Sequence, residues 1–146
     1  MIQGNNFYEG RYVFMSKKII LVVVCLVVAG TALLGGKYFS DVGKYKKIVS
    51  DIEIQTPDIS KVKDGSYNGV FDAIIISADV DVHIKDHMID AIVINEHKNE
   101  RGEKAEVITD EVLASQSLNV DTVSGATNSS KVILKAIENA LENGSK

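Results

Sequence analysis

The chain has 146 residues, 45% of them apolar, which suits one modest domain plus an N-terminal apolar run but not two domains. A formal charge of -4 and a pI near 5.3 exclude the concentrated cationic surface that tracks a phosphate backbone, so no nucleic-acid partner is expected. The one cysteine lies inside the apolar run. A disulfide framework, a paired-thiol redox motif and a thiolate zinc site are therefore excluded within one chain; no metal site is expected, and redox chemistry has to come from a bound cofactor.

Residues 1–18 form a short N-terminal segment, and residues 19–36 then run without a charge. A stretch of about 18 apolar residues spans a bilayer as a helix that closes its own backbone hydrogen bonds. Lys17 and Lys18 before the run, and Lys37, Tyr38 and Phe39 after it, suit the headgroup region. A helix apolar all round needs lipid or protein on every side, and the rest of the chain is too short to enclose it. One transmembrane anchor in contact with membrane lipid is the expectation.

Basic residues flank the run on both sides and do not decide its orientation. Met15-Ser16-Lys17-Lys18 and the run after it, however, read as a basic n-region and an h-region. That arrangement exports the downstream chain, so residues 1–18 are expected in the cytoplasm and the C-terminal domain outside it; Met15 is an alternative start. Leu33 and Leu34 extend the run past a cleavage site after Ala32, which favours an uncleaved, single-pass anchor in the cell membrane.

Residues 37–62 are mixed and charged, include the only proline, Pro57, and show no sustained period; they read as a stalk. Residues 63–146 form the domain. Residues 71–76 read as a strand with apolar side chains of both parities. Val80, Val82 and Ile84 alternate with Asp81, His83 and Lys85, and Ile89, Ala91 and Val93 keep the same rhythm, predicting a hairpin that turns at Asp86-His87-Met88. There His87 takes a positive backbone angle that Gly adopts at less cost. Ala105, Ile108, Val112 and Leu118 predict an irregular helical face, and residues 119–123 a short strand. Val132, Ile133, Ala136, Ile137, Ala140 and Leu141 recur at helical spacing, with Ser129 or Ser130 as the cap and Gly144 as the stop. Strands followed by helices make the class α+β, a small antiparallel sheet packed with helices behind one N-terminal transmembrane helix.

Between the short strand and the last helix lies Asp121-Thr122-Val123-Ser124-Gly125-Ala126-Thr127-Asn128-Ser129-Ser130. It is small, polar and rich in hydroxyls, and it runs into a helix N-terminus, whose unpaired amides and positive dipole end seat an anion. Simple capping by Ser, Thr and Asn explains the same composition, and no Gly-Lys-Ser/Thr is present to make a Walker loop.

The stretch Asp121-x-x-Ser124-Gly125-Ala126-Thr127, with Ser129 after it, resembles the flavinylation motif of the FMN-binding domain family. Asp64-Gly65-x-Tyr67-x-Gly69, residues 86–89, and Glu96-His97-Lys98 through Gly102 resemble other segments of that family, with His87 departing from the usual Gly. The resemblance implies FMN as cofactor, joined by its phosphate to Thr127, with Ser124, Gly125, Ala126 and Asp121 as the surrounding cofactor-binding residues. It further implies a separate flavin transferase for maturation, and upstream and downstream redox proteins between which an anchored extracytoplasmic carrier moves electrons. Two alternatives stand beside this: a flavin-dependent reductase module acting on a small acceptor, for which His83, His87 and His97 are the acid–base candidates, and a non-redox anchored interaction domain. No catalytic residue is assigned. His97 and Tyr67 are weighed as neighbours of the flavin ring, but a solvated histidine and a core tyrosine are the plainer accounts.

Overall fold

The computed structural model describes residues 17–99 and 101–146. The chain divides into two compact units, Met1–Tyr38 and Phe39–Lys146. The described part of the first lies in helix α1, Lys17–Ser50, which is long and apolar enough to cross a membrane: its most apolar stretch has a mean hydropathy of 2.7 and none of it is buried. Lys17 and Lys18 open this helix, and Arg11 and Met15 lie outside the described residues.

The second unit is α+β. Strands β1 (Gly65–Asp72), β2 (Ser77–Lys85) and β3 (Met88–Lys98) form an antiparallel meander in the order β1-β2-β3. Helices α2 (Ile108–Ser115) and α3 (Thr127–Gly144) come next, with short 3₁₀ turns at Ile59–Lys61 and Glu103–Val107. On β2, Ala78, Val80, Val82 and Ile84 are buried at every second position and meet the apolar face of α3, in which Val132, Ile133, Ala136, Ile137, Ala140 and Leu141 are all buried.

Several expectations change in detail. The expected strand over residues 71–76 ends at Asp72, because residues 73–76 make a tight connection: Ala73 N–H donates to the Ile76 carbonyl at 2.9 Å and Ile75 N–H to the Ala73 carbonyl at 2.9 Å. Ile74 sits in the centre at φ 75, rare and strained for a β-branched residue. Asp86 and His87 form a two-residue hairpin loop with φ of 52 and 59, so Met88 opens β3 instead of closing the turn. The helical face after Gly102 is split between a 3₁₀ turn and α2, with Leu118 buried beyond the helix. No strand forms over residues 119–123; Val120 and Val123 are half-buried against the core, while Val123 N–H turns to the Ser130 hydroxyl at 3.1 Å instead of a neighbouring strand.

Within residues 37–62, α1 continues to Ser50, and Val49, Ile52 and Val62 are buried in the core. Side chains of α3 hold this stretch: Lys131 Nζ donates to the Val49 carbonyl at 3.5 Å and Lys135 Nζ to the Glu53 carbonyl at 3.3 Å. Both outer strands have edge groups held by side-chain amides. Asn139 and Asn143 donate to the carbonyls of Val70 and Asn68 on β1, and the Gln116 amide pairs with both the N–H and the carbonyl of Ile89 on β3.

Candidate functional site

The loop before α3 is shaped by two local bonds. Ala126 N–H closes a turn onto the Val123 carbonyl at 2.9 Å, and Gly125, at its third position, has φ 72. That left-handed conformation favours glycine, and a Cβ there would also lie 2.8 Å from Lys104 Nζ. The fully buried Ser130 hydroxyl accepts from Val123 N–H and donates to the Ala126 carbonyl, both at 3.1 Å, and so ties the start of the loop to the first turn of the helix.

Ala126 is the residue before α3, and no side chain caps it. This corrects the expected cap at Ser129 or Ser130: both lie inside the first turn and are buried, because Thr127 already opens the helix. The first backbone bond is from Ser130 N–H to the Ala126 carbonyl, 2.9 Å. Helical geometry leaves the amides of Thr127, Asn128 and Ser129 without an intrahelical acceptor, at the positive end of an 18-residue helix.

Around this turn lies a cleft of about 590 Å³, lined by Tyr45, Ile76, Arg101, Gly102 and residues 125–129. The volume is of the size that holds small ligands. Of the loop residues singled out in the sequence, Gly125, Ala126 and Thr127 line the cleft, and Thr127 is exposed; Ser124 and Asp121 are exposed on the loop outside its lining. Gly102 also lines the cleft. A Cβ on it would stand 1.9 Å from the Ser129 hydroxyl and 2.6 Å from Ser129 Cβ, so glycine alone allows the backbone at position 102 to lie against α3.

Gly102 is held in place by a chain of polar contacts. Gly102 N–H donates to Asn99 Oδ1 at 3.0 Å, Asn99 Nδ2 donates to the His97 carbonyl at 3.1 Å, and His97 Nδ1 lies 2.9 Å from Glu106 Oε1. The His97 side chain is only 1% exposed and does not line the cleft. His83 stands half-buried on β2 and His87 exposed at the hairpin tip. Tyr67 lies at the far end of α3, its ring 2.7 Å from where a Cβ on Gly144 would stand and its hydroxyl donating to the Lys63 carbonyl at 2.9 Å.

Two features of the cleft escaped sequence reasoning. Tyr45 comes from α1, and its hydroxyl accepts from Asn128 Nδ2 at 2.8 Å across 83 positions of sequence; no local pattern announces such a contact. Ile76 is brought to the cleft by the strained connection around Ile74, whose N–H is held by Asp72 Oδ1 at 2.6 Å.

Helix-terminal amides without an intrahelical acceptor, an exposed hydroxyl and the cations Arg101 and Lys104 nearby suit the phosphate end of a cofactor, and Tyr45 and Ile76 suit its flat apolar part. The class so defined is a small α+β domain with a cleft at the N-terminus of its last helix.

The profile of the FMN-binding domain family matches residues 42–142, and the chain belongs to that family. Its cofactor is FMN, and the protein is a flavin-binding protein. No curated protein matches the sequence.

Proposed function

We propose that the protein is a membrane-anchored flavoprotein that carries FMN as a phosphoester on Thr127 and passes electrons between redox partners on the extracytoplasmic face. The observation that carries this reading is the position of Thr127: exposed, at the first residue of α3, in the cleft and beside three amides with no intrahelical acceptor.

Attachment suits that position. A transferase using FAD brings the FMN phosphorus to the Thr127 oxygen; a P–O bond forms there, the bond to AMP breaks, AMP leaves, and the hydroxyl proton passes to a base of the transferase. Gly125 and Ala126 keep side-chain bulk away while a second protein closes on the loop. Once attached, the phosphate lies where the amides of α3 and its dipole stabilise negative charge, an effect worth about 0.3–1 kcal/mol per charge at such a site. Arg101, in the cleft lining, and Lys104, beside Gly125, add positive charge. Bound FMN supplies one- and two-electron redox chemistry, and the chain supplies attachment, exposure and the electrostatic setting. A covalent bond suits a carrier beyond the cytoplasm, where a lost flavin is not readily replaced.

The apolar part of α1 is the anchor, and residues 1–18 are its cytoplasmic flank. Coexpression with an active flavin transferase, then denaturing electrophoresis under ultraviolet light and peptide mass mapping, tests the attachment. Fluorescence on the Thr127 peptide, lost in Thr127→Ala, is the expected result. A wild-type chain without adduct, or a Thr127→Ala chain that keeps it, refutes the assignment.

A further inference from the structure

Resting on that reading, we infer that Tyr45 is the residue against which the flavin ring stacks, so that the end of α1 nearest the domain forms part of the cofactor seat. FMN joined at Thr127 has its phosphate fixed at the first turn of α3, and its isoalloxazine ring lies within one ribityl chain of that point. The ring is large, flat and largely apolar, and aromatic rings of this kind favour offset stacking on another ring. Among the described residues that line the cleft, Tyr45 is the one aromatic, and Ile76 is the one large aliphatic side chain.

Two further observations make Tyr45 a fixed wall. It is half-buried and packs on the core from α1, and its hydroxyl is bonded at 2.8 Å to Asn128, the residue next to the attachment threonine. The phenol therefore has little freedom to swing out of the cleft, and the cost of ordering it is met before any ligand arrives. The other aromatic weighed for this role is remote: Tyr67 packs at Gly144, about 25 Å along α3 from Thr127 at 1.5 Å per residue. His97 is buried with its Nδ1 committed to Glu106.

An electron-rich phenol in contact with a photoexcited flavin transfers an electron to it and quenches its emission, so the contact has a direct optical signature. The experiment uses the full chain in detergent, produced with a flavin transferase, in the wild type and in the Tyr45→Leu, Tyr45→Phe and Tyr67→Phe variants. Emission is normalised to flavin absorbance, and occupancy is read separately on denaturing gels. Tyr45→Leu is expected to raise the quantum yield of the attached flavin roughly two- to tenfold, the population change that loss of one aromatic pair brings. Tyr45→Phe keeps a ring but lacks both the anchoring hydroxyl and the readily oxidised phenol, so its yield also rises; this variant retains the packing and decides the matter if Tyr45→Leu does not fold. Tyr67→Phe stays at the wild-type yield.

Flavin present at normal occupancy, with a quantum yield unchanged in Tyr45→Phe and in any folded Tyr45→Leu, overturns this inference and leaves the attachment at Thr127 intact. A rise equal in Tyr67→Phe also overturns it, because the effect is then general loosening. A wild-type chain that takes up no flavin overturns the proposed function and this inference with it.

Discussion

Gly102→Ala places the sharpest test on the wall of the cleft. The added Cβ would lie 1.9 Å from the Ser129 hydroxyl and 2.6 Å from Ser129 Cβ, both well inside contact distance, and Ser129 is only 2% exposed and cannot rotate into solvent. Overpacking of this kind costs about 1–3 kcal/mol, and the burial of Ser129, whose Cβ is fixed to the helix backbone, favours the upper half of that range. Relief must come from Ser129. Truncation to Ala removes the hydroxyl but leaves the 2.6 Å contact, whereas Ser129→Gly removes both atoms at an intrinsic helix cost of up to about 1 kcal/mol. The double variant Gly102→Ala/Ser129→Gly should therefore be more stable than the sum of its single changes, by about 1–2 kcal/mol of coupling. Thermal melts of the detergent-solubilised chain followed by near-ultraviolet circular dichroism, for all four members of the cycle, give the comparison. A Gly102→Ala variant within about 0.5 kcal/mol of wild type, or strictly additive single changes, refutes the close packing of Gly102 on Ser129.

Ser130→Ala leaves the Val123 N–H without its acceptor, and should destabilise the unit by about 1–3 kcal/mol and slow the proposed flavin attachment at Thr127, as read by melting and by a time course of in-gel fluorescence. A soluble fragment that starts at residue 63 lacks Val49, Ile52 and Val62, each worth about 1.5–3 kcal/mol of burial. It should show no cooperative melt, whereas a fragment starting at Phe39, where the compact unit begins, should melt cooperatively.

Where the sequence was legible, a single physical rule acted over a short range. The alternation along β2 and the 3.6 spacing of α3 each report one buried face, and both elements are present. The positive φ expected at His87 within the turn is present, although the loop is only Asp86-His87 and Met88 already belongs to β3. Residues 71–76 misled because apolar runs of both parities suit a buried strand and a buried connection equally, and here Asp72 caps the bend by holding Ile74 N–H. The cap of α3 was displaced by three or four residues because four consecutive polar residues, Thr127 to Ser130, offer the same signal and the apolar face starts only at Val132. Of the cleft, the side built from one stretch of chain was readable as a loop meeting a helix. Tyr45 and Ile76 arrive from remote segments through tertiary packing, and nothing near them in sequence distinguishes them from core residues.

The amides on the sheet edges bear on how such a domain behaves in a crowd. A three-stranded meander has two open rims, and an open rim invites a strand from another molecule. On one rim, Asn139 and Asn143 occupy the carbonyls of Val70 and Asn68; on the other, Gln116 imitates a strand by meeting both polar groups of Ile89, and two irregularities in the β2–β3 register interrupt the ladder. A neighbouring copy that meets either border thus finds these edge groups already occupied. Conversion of Asn143 to a carboxylate turns a donor into an acceptor facing the Asn68 carbonyl, which takes one guard away and exposes that border to mispairing.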